Sequence, residues 1–493
     1  MNTTFARFSA LLLAATLSAC GGGGGGDASS TTTTAAEPIL QSIAISPVNP
    51  TIAAGTSLQL VATGTYTDGS SKALTTGVIW SSSSAHSTMF TAGLLKGLSM
   101  GGDIVTAKLG IVSGSTSLTI KGPYVVAAAG GSHTLVRKAD GTIAAWGLNH
   151  SGQLGDGTAF DRVVPTATVD AANVWLTISA GDFHTLATRT DNSLWGWGFN
   201  QNGQLGDKTY ADKLVPTQIG TDKKWLVISA GKAHSVGVKN DGTLWAWGRN
   251  FDGQLGDITG VDKTSPVQVL MAPPAVGSTA TATVTPVAAD KIWAAAAAGA
   301  NFTVARKTDN TVYTWGANER GQLGNGTSAA TPLATNVPTL VADLKVLSIS
   351  AGSLHVLAIR PDGSLFSWGA NELGQLGNGK TLDGLLPVQV GTETDWTMVS
   401  AGGYHSLAIK VDGSLWSWGS NSDGQLGVGT TTDSPEPMQI GLSRDWIFVS
   451  AGKYHSFALR SDGSLWGWGR NLEGQQGNAT MTLKPVLVPT LLP

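Results

Sequence analysis

The stretch AGGYHSLAIKVDGSLWSWGSNSDGQLG, residues 401–427, decides the fold because it is one of seven versions of the same pattern. An Ala-Gly-x-x-His element ends at His133, His184, His234, His355, His405 and His455, and Phe302 fills the slot in the fourth copy. In every copy a Trp-Gly follows 13 residues after that slot, at Trp146, Trp197, Trp247, Trp315, Trp368, Trp418 and Trp468. An Asn comes three residues later and a Gly-Gln-x-Gly closes the unit. Copies are 50 to 53 residues apart, except for 68 between the third and fourth, where a segment near 270–290 is inserted.

Each copy reads as four short strands: one around Val-Pro, one led by Trp, one after the His, and one ending in Trp-Gly. Four strands in about 50 residues, repeated seven times, predict an all-β protein with a seven-bladed β-propeller over 123–493. Asp412-Gly413 and its equivalents join the last two strands as tight turns. Asp191-Asn192 and Asp309-Asn310 keep residues that tolerate positive φ. Gly419, Gly424 and Gly427 could pass for a phosphate-cradling loop. The position that needs Lys is Gln425, and Gln recurs there in all seven copies, so the glycines are assigned to a turn.

The Ala-Gly-x-x-His, Asp-Gly-x-Leu-x-x-Trp-Gly and Asn-x-x-Gly-Gln-Leu-Gly elements resemble regulator of chromosome condensation repeats. The likeness covers about 370 residues in register. It implies a seven-bladed propeller whose repeat is offset from its blade. The chain ends in a Val-Pro segment, LVPTLLP, and the propeller opens on PYVVAAAGG with no Val-Pro segment before it. Ring closure is therefore expected through pairing of residues near 488–493 with the blade that starts at Tyr124.

Before the propeller, residues 38–121 alternate apolar and polar positions between turn signals, as a small β-sandwich does. Ile43-Ala-Ile-Ser-Pro47, Gly55, Tyr66-Thr-Asp-Gly69, Trp80-Ser-Ser and Leu118-Thr-Ile120 resemble a group 2 bacterial Ig-like domain, which implies an extracytoplasmic spacer or adhesion module. Residues 20–37 are a Gly/Ser/Thr-rich tether. The first 19 residues carry Arg7 and a short apolar run from Leu11 to Leu17, too short to span a bilayer. Leu17, Ser18, Ala19 and Cys20 resemble a bacterial lipoprotein signal, which implies cleavage before Cys20 and lipidation of that thiol, with the outer membrane or cell surface as the expected location.

Cys20 is the one cysteine in 493 residues, which excludes an internal disulfide and a cysteine zinc site. Lys plus Arg total 30 against 33 Asp plus Glu, so no basic surplus points to nucleic acid. The histidines could suggest a metal, but zinc needs three or four ligands converging on one point, and a repeated position spreads them around a ring. Each His is instead assigned to holding a loop inside its own blade, and no metal or cofactor is expected. The Trp residues are assigned to packing between blades. Catalysis needs an asymmetric set of acid, base and nucleophile, and no copy offers one that its siblings lack.

Function is then expected where copies differ. The two residues before each His vary most, and they place Asp182, Phe183, Lys232, Leu354, Tyr404, Lys453 and Tyr454 on one face, with the aromatic and charged composition of a protein-binding surface. The insertion near 270–290 is a second candidate. The expectation is a monomeric, lipid-anchored, non-enzymatic display protein for an unknown protein partner. The repeat resemblance also implies a guanine-nucleotide exchange activity, and a propeller-based enzyme or carbohydrate binder is the third reading.

Overall fold

The computed structural model describes residues 37–89, 91–170, 174–271, 292–328 and 336–489. The leader, Cys20, most of the tether and most of the insertion lie outside them. No α-helix occurs among the described residues.

Residues 40–121 form three small sheets around one core that includes Ile43, Ile45, Leu60, Leu95, Val105, Leu118 and Ile120. The apolar alternation of Leu40–Ser46 puts Ile43 and Ile45 inside and their neighbours out, as a strand with period two requires. The last strand of this unit, Val112–Lys121, runs through Gly122 and Pro123 directly into the propeller.

Seven four-stranded antiparallel sheets follow, and each is made of consecutive strands. In blade six the order from the axis outward is Trp396–Ala401, His405–Lys410, Leu415–Gly419 and Ser434–Gln439. The Asp-Gly turn behaves as read: Asp412 accepts a hydrogen bond from the Ser414 amide at 2.9 Å, and Gly413 has φ 76°. Asn192 and Asn310 take the same left-handed conformation, at φ 59° and 70°. The Val-Pro segment or its equivalent supplies the outermost strand, which contains a proline in every blade but the fourth, Thr339–Lys345. A proline there costs no ladder bond on the open edge and discourages pairing with another chain.

Closure differs from the expectation. Lys484–Pro489 pairs with Leu465–Gly469 of its own blade, and the blade that starts at Tyr124 has its own outer strand, Arg162–Ala167; the rest of the expected closing segment, 490–493, lies outside the described residues. The Val-Pro segment therefore completes the blade before it rather than opening the next. The Trp-Gly strand and the Val-Pro strand are neighbours in sequence, so the short loop between them closes at less entropic cost than a pairing across the whole domain.

The ring is held by its seams. Each hydrophobic cluster of the propeller joins residues of two adjacent blades: Leu407, Ile409 and Leu415 of blade six, for example, pack against Trp446, Ala458 and Trp468 of blade seven. Blade seven meets blade one in the same way, through Phe457, Leu459 and Leu465 against Tyr124, Ala127 and Trp146.

Candidate functional site

The site is built on a repeated polar chain that runs under one mouth of the ring. His405 Nε2 lies 2.8 Å from Ser456 Oγ of the next blade, and that hydroxyl donates to the Gln425 carbonyl at 2.8 Å. The same carbonyl accepts from Trp468 Nε1 at 2.8 Å. Because the hydroxyl proton goes to the carbonyl, the imidazole must donate from Nε2. Equivalent contacts link His133 to Thr185, His184 to Ser235, His234 to Thr303, His355 to Ser406 and His455 to Thr134.

The histidines thus bind across the seam, not within their own blade as expected. The reason lies in strand geometry: a side chain leaves a sheet perpendicular to it, and in a propeller the next blade stands there. All six are fully buried, which pushes their pKa down to about 3 and holds them neutral. All seven Trp-Gly indoles likewise donate to a Gln carbonyl of the preceding blade, at 2.8–3.0 Å. Trp195, Trp245, Trp416 and Trp466 have a role the sequence reading did not contain: with the strand-leading Trp of their own blade they enclose a cation, as Trp225 and Trp245 enclose Lys239.

The Asn of each unit shapes the loop at the mouth. Asn421 Nδ2 donates to the Thr430 and Thr432 carbonyls, and its Oδ1 accepts from the Leu426 amide. Gly419, at φ 98°, passes so close to the Tyr404 carbonyl that a Cβ would sit 2.7 Å from its oxygen. The stretch that resembled a phosphate loop is therefore consumed by internal bonds.

All seven candidate residues stand on the Ala-Gly-x-x-His loops around this mouth. The first variable positions, including Asp182, Lys232 and Lys453, line its opening together with the repeated Ala-Gly pairs. Tyr404 and Tyr454 stack at 6.3 Å between centroids, and Phe183, 39 % exposed, meets Phe199 edge-on. Lys453 and Asp182 are ion-paired at 3.3 Å. Burial works against the charge of Lys453, but Asp182 and the tyrosines beside it hold its pKa above the usual lysine value. Lys232 is exposed, and Leu354 is half-buried.

The sequence reading missed Arg470, whose guanidinium lies 5.5 Å from the Tyr454 ring, and Phe199. Both follow a Trp-Gly, a position that varies between copies as much as the residues before His and could have been found by the same criterion. Among the described residues no three His, Cys, Asp or Glu side chains are grouped to hold a metal ion. The 270–290 insertion falls in sequence between the outer strand of blade three, Lys263–Gln268, and Trp293, and 272–291 lie outside the described residues.

The RCC1-like domain matches residues 179–493, well over half of the chain. The chain belongs to the RCC1-like domain family. Two further matches to the regulator of chromosome condensation (RCC1) repeat cover 140–188 and 126–153. The first runs from the Asp140 turn of blade one into the His strand of blade two, so the family repeat straddles a seam even though every blade is built from consecutive strands. Among curated proteins, the ultraviolet-B receptor UVR8 of Arabidopsis thaliana is 29 % identical over 273 residues, 55 % of this chain and 47 % of the receptor. Ice-binding protein 1 of Shewanella frigidimarina is 46 % identical over 84 residues, 17 % of this chain and 9 % of that protein. The chain thus spans less than half the length of these relatives. The solved structure of Prp20p from Saccharomyces cerevisiae superposes with a TM-score of 0.61 at 21 % identity, over 75 % of this chain and 88 % of that one. At that identity the likeness speaks for the fold alone.

Proposed function

We propose that this RCC1-like propeller is a non-enzymatic protein-binding head, carried on an Ig-like spacer and tethered to a bacterial envelope membrane through lipid on Cys20. The observation that carries the binding reading is the contrast at one mouth of the ring. Beneath it, six His, seven Trp and seven Asn repeat the same bonds, while the residues that top it differ from blade to blade. The stacked Tyr404 and Tyr454, with Arg470 beside them and Phe183 exposed nearby, give that mouth the aromatic and Arg content in which interface energy concentrates. Prp20p, which binds Gsp1p and histones, is consistent with a propeller that works by binding proteins.

The envelope reading is supported by Leu17, Ser18, Ala19 and Cys20, which have the lipoprotein pattern, and by the Ig-like marks within 38–121. The anchor is tested by labelling cells with radioactive palmitate: label on the wild-type chain and none on Cys20→Ala is expected, and an unlabelled wild-type chain overturns it. The head is tested by capture from envelope extracts with the full chain against Phe183→Ala/Tyr404→Ala/Tyr454→Ala. Loss of the captured protein in the variant, with unchanged thermal stability, is expected; full retention overturns this face.

A further inference from the structure

An open cavity lies apart from the mouth, between blades four and five, at the far end of the blade-five strand His355–Ile359. Its volume is about 590 Å³, within the range of small-molecule sites. Leu340, Val341, Leu344 and Pro361 form its apolar wall. Two carboxylates, Asp343 and Asp362, and two cations, Lys345 and Arg360, line the rest.

Other blades show what chemistry this place in the fold takes. In blade two, Arg189 lies 5.0 Å from the Trp175 ring and 3.7 Å from the Trp195 ring, and pairs with Asp170 of the connection that leads into Trp175. The caged cations of blades three, six and seven pair in the same way, Lys239 with Asp222, Lys410 with Asp395 and Arg460 with Asp445. Each cation thus receives two rings and a carboxylate.

In blade five the cation is Arg360, and Val346 stands where those blades have the first Trp. The backbone place is the same, because the Val346 amide donates to the Asn310 carbonyl as the Trp175 amide does to that of Gly141. Leu344 packs in one cluster with Val346 and takes up the inner part of the space an indole would need. The Arg360 guanidinium lies 4.6 Å from the Phe366 ring; among the described residues no second ring covers it and no carboxylate pairs with it. Asp343 holds the sequence position of Asp222, three residues before the ring, but its backbone is left-handed at φ 55° and it gives Arg360 its carbonyl, at 3.1 Å. The Asp343 carboxylate is exposed and makes no ion pair or hydrogen bond among the described residues. Asp362 differs, since the Ser364 amide and hydroxyl hold it at 3.0 and 2.6 Å.

Relative to its siblings this place lacks one aromatic ring and one carboxylate on the cation, and it presents an unpaired carboxylate of its own. An aromatic amino acid in its zwitterionic form supplies the first two and satisfies the third. We infer that the cavity binds such an amino acid, with the ring between the apolar wall and the open face of Arg360, the carboxylate drawn to Arg360 and Lys345, and the ammonium to Asp343. The site is independent of the mouth and of any partner bound there. Ligand-observed NMR titration of the full chain tests it with three probes: L-tryptophan, indole-3-propionate, which lacks the ammonium, and tryptamine, which lacks the carboxylate. L-Tryptophan is expected to bind with a Kd below about 1 mM and each analogue at least about tenfold more weakly. Asp343→Asn, an exposed change to a residue that also tolerates left-handed backbone, should weaken L-tryptophan about tenfold and leave indole-3-propionate no weaker. Arg360→Gln should weaken both by about tenfold or more. The Asp343→Asn arm removes no side-chain contact of the fold, so it decides even where Arg360→Gln unfolds the chain. Absence of L-tryptophan binding at about 1 mM, no preference for it over the analogues, or equal binding by Asp343→Asn overturns the inference.

Discussion

Acid should dismantle this propeller through its histidines well before its carboxylates are protonated. The six seam histidines are held near pKa 3 by burial, while in the unfolded chain they titrate near 6.5. Between those values the unfolded state binds protons that the folded state refuses, so stability is complete above about pH 6.5 and falls as pH drops. At about pH 5 each histidine contributes roughly 2 kcal/mol to this loss, from 1.36 kcal/mol per pH unit over about 1.5 units. Six of them total about 12 kcal/mol, comparable with the whole stability of a typical domain. The result is the same for any folded pKa below about 4. The assay is guanidinium unfolding followed by tryptophan fluorescence, from about pH 7.5 down to about pH 5. The double variant His405→Phe/Ser456→Val, which copies the native Phe302/Val356 pair, should lower the pH slope by about one sixth. Unfolding midpoints that stay level across that range would falsify the buried-histidine account of the seams.

Three further substitutions test the elements that shape the mouth. Gly419→Ala forces a Cβ to 2.7 Å from the Tyr404 carbonyl at φ 98° and should cost at least about 2 kcal/mol in a denaturant titration. Asn421→Ala removes the partners of two loop carbonyls and the Leu426 amide; a loss of about 2–4 kcal/mol is expected, with proteolytic nicking of 428–433 as a second readout. Trp418→Phe deletes the indole bond to the Gln375 carbonyl and leaves a small void, for about 2–4 kcal/mol by chemical unfolding. A loss below about 0.5 kcal/mol for either of the last two would contradict the role given to that residue.

Much of the architecture was legible because repetition supplies its own controls. The Trp-Gly, Asp-Gly and Gly-Gln-x-Gly elements each recur seven times or nearly so, and one strand assignment had to satisfy every copy. What repetition could not reveal was phase. The unit Val-Pro, Trp, His, Trp-Gly and the unit Trp, His, Trp-Gly, Val-Pro are the same string cut at different places, and only the pairing of Lys484–Pro489 with Leu465–Gly469 chooses between them. The direction of the histidines was in fact written in the chain. The residue after each His slot is Ser or Thr except at Val356, which lies in the copy after the one with Phe302, and that joint substitution marks a contact between neighbouring blades. At the mouth, the variable residues could be placed on one face, but the Lys453–Asp182 pair spans blade one and exists only because the closed ring brings blades seven and two to either side of it.

The central claim is that the repeated residues hold the ring and the unrepeated residues of one mouth meet a partner. Site-specific photo-crosslinking in cells measures this most directly. One full-length variant would carry a photoreactive side chain at Leu354, on the mouth, and another at Val411, exposed at the opposite end beside the Asp412 turn. The account predicts a discrete crosslinked protein from Leu354 and none from Val411. A crosslink from Val411 with none from Leu354 would contradict it.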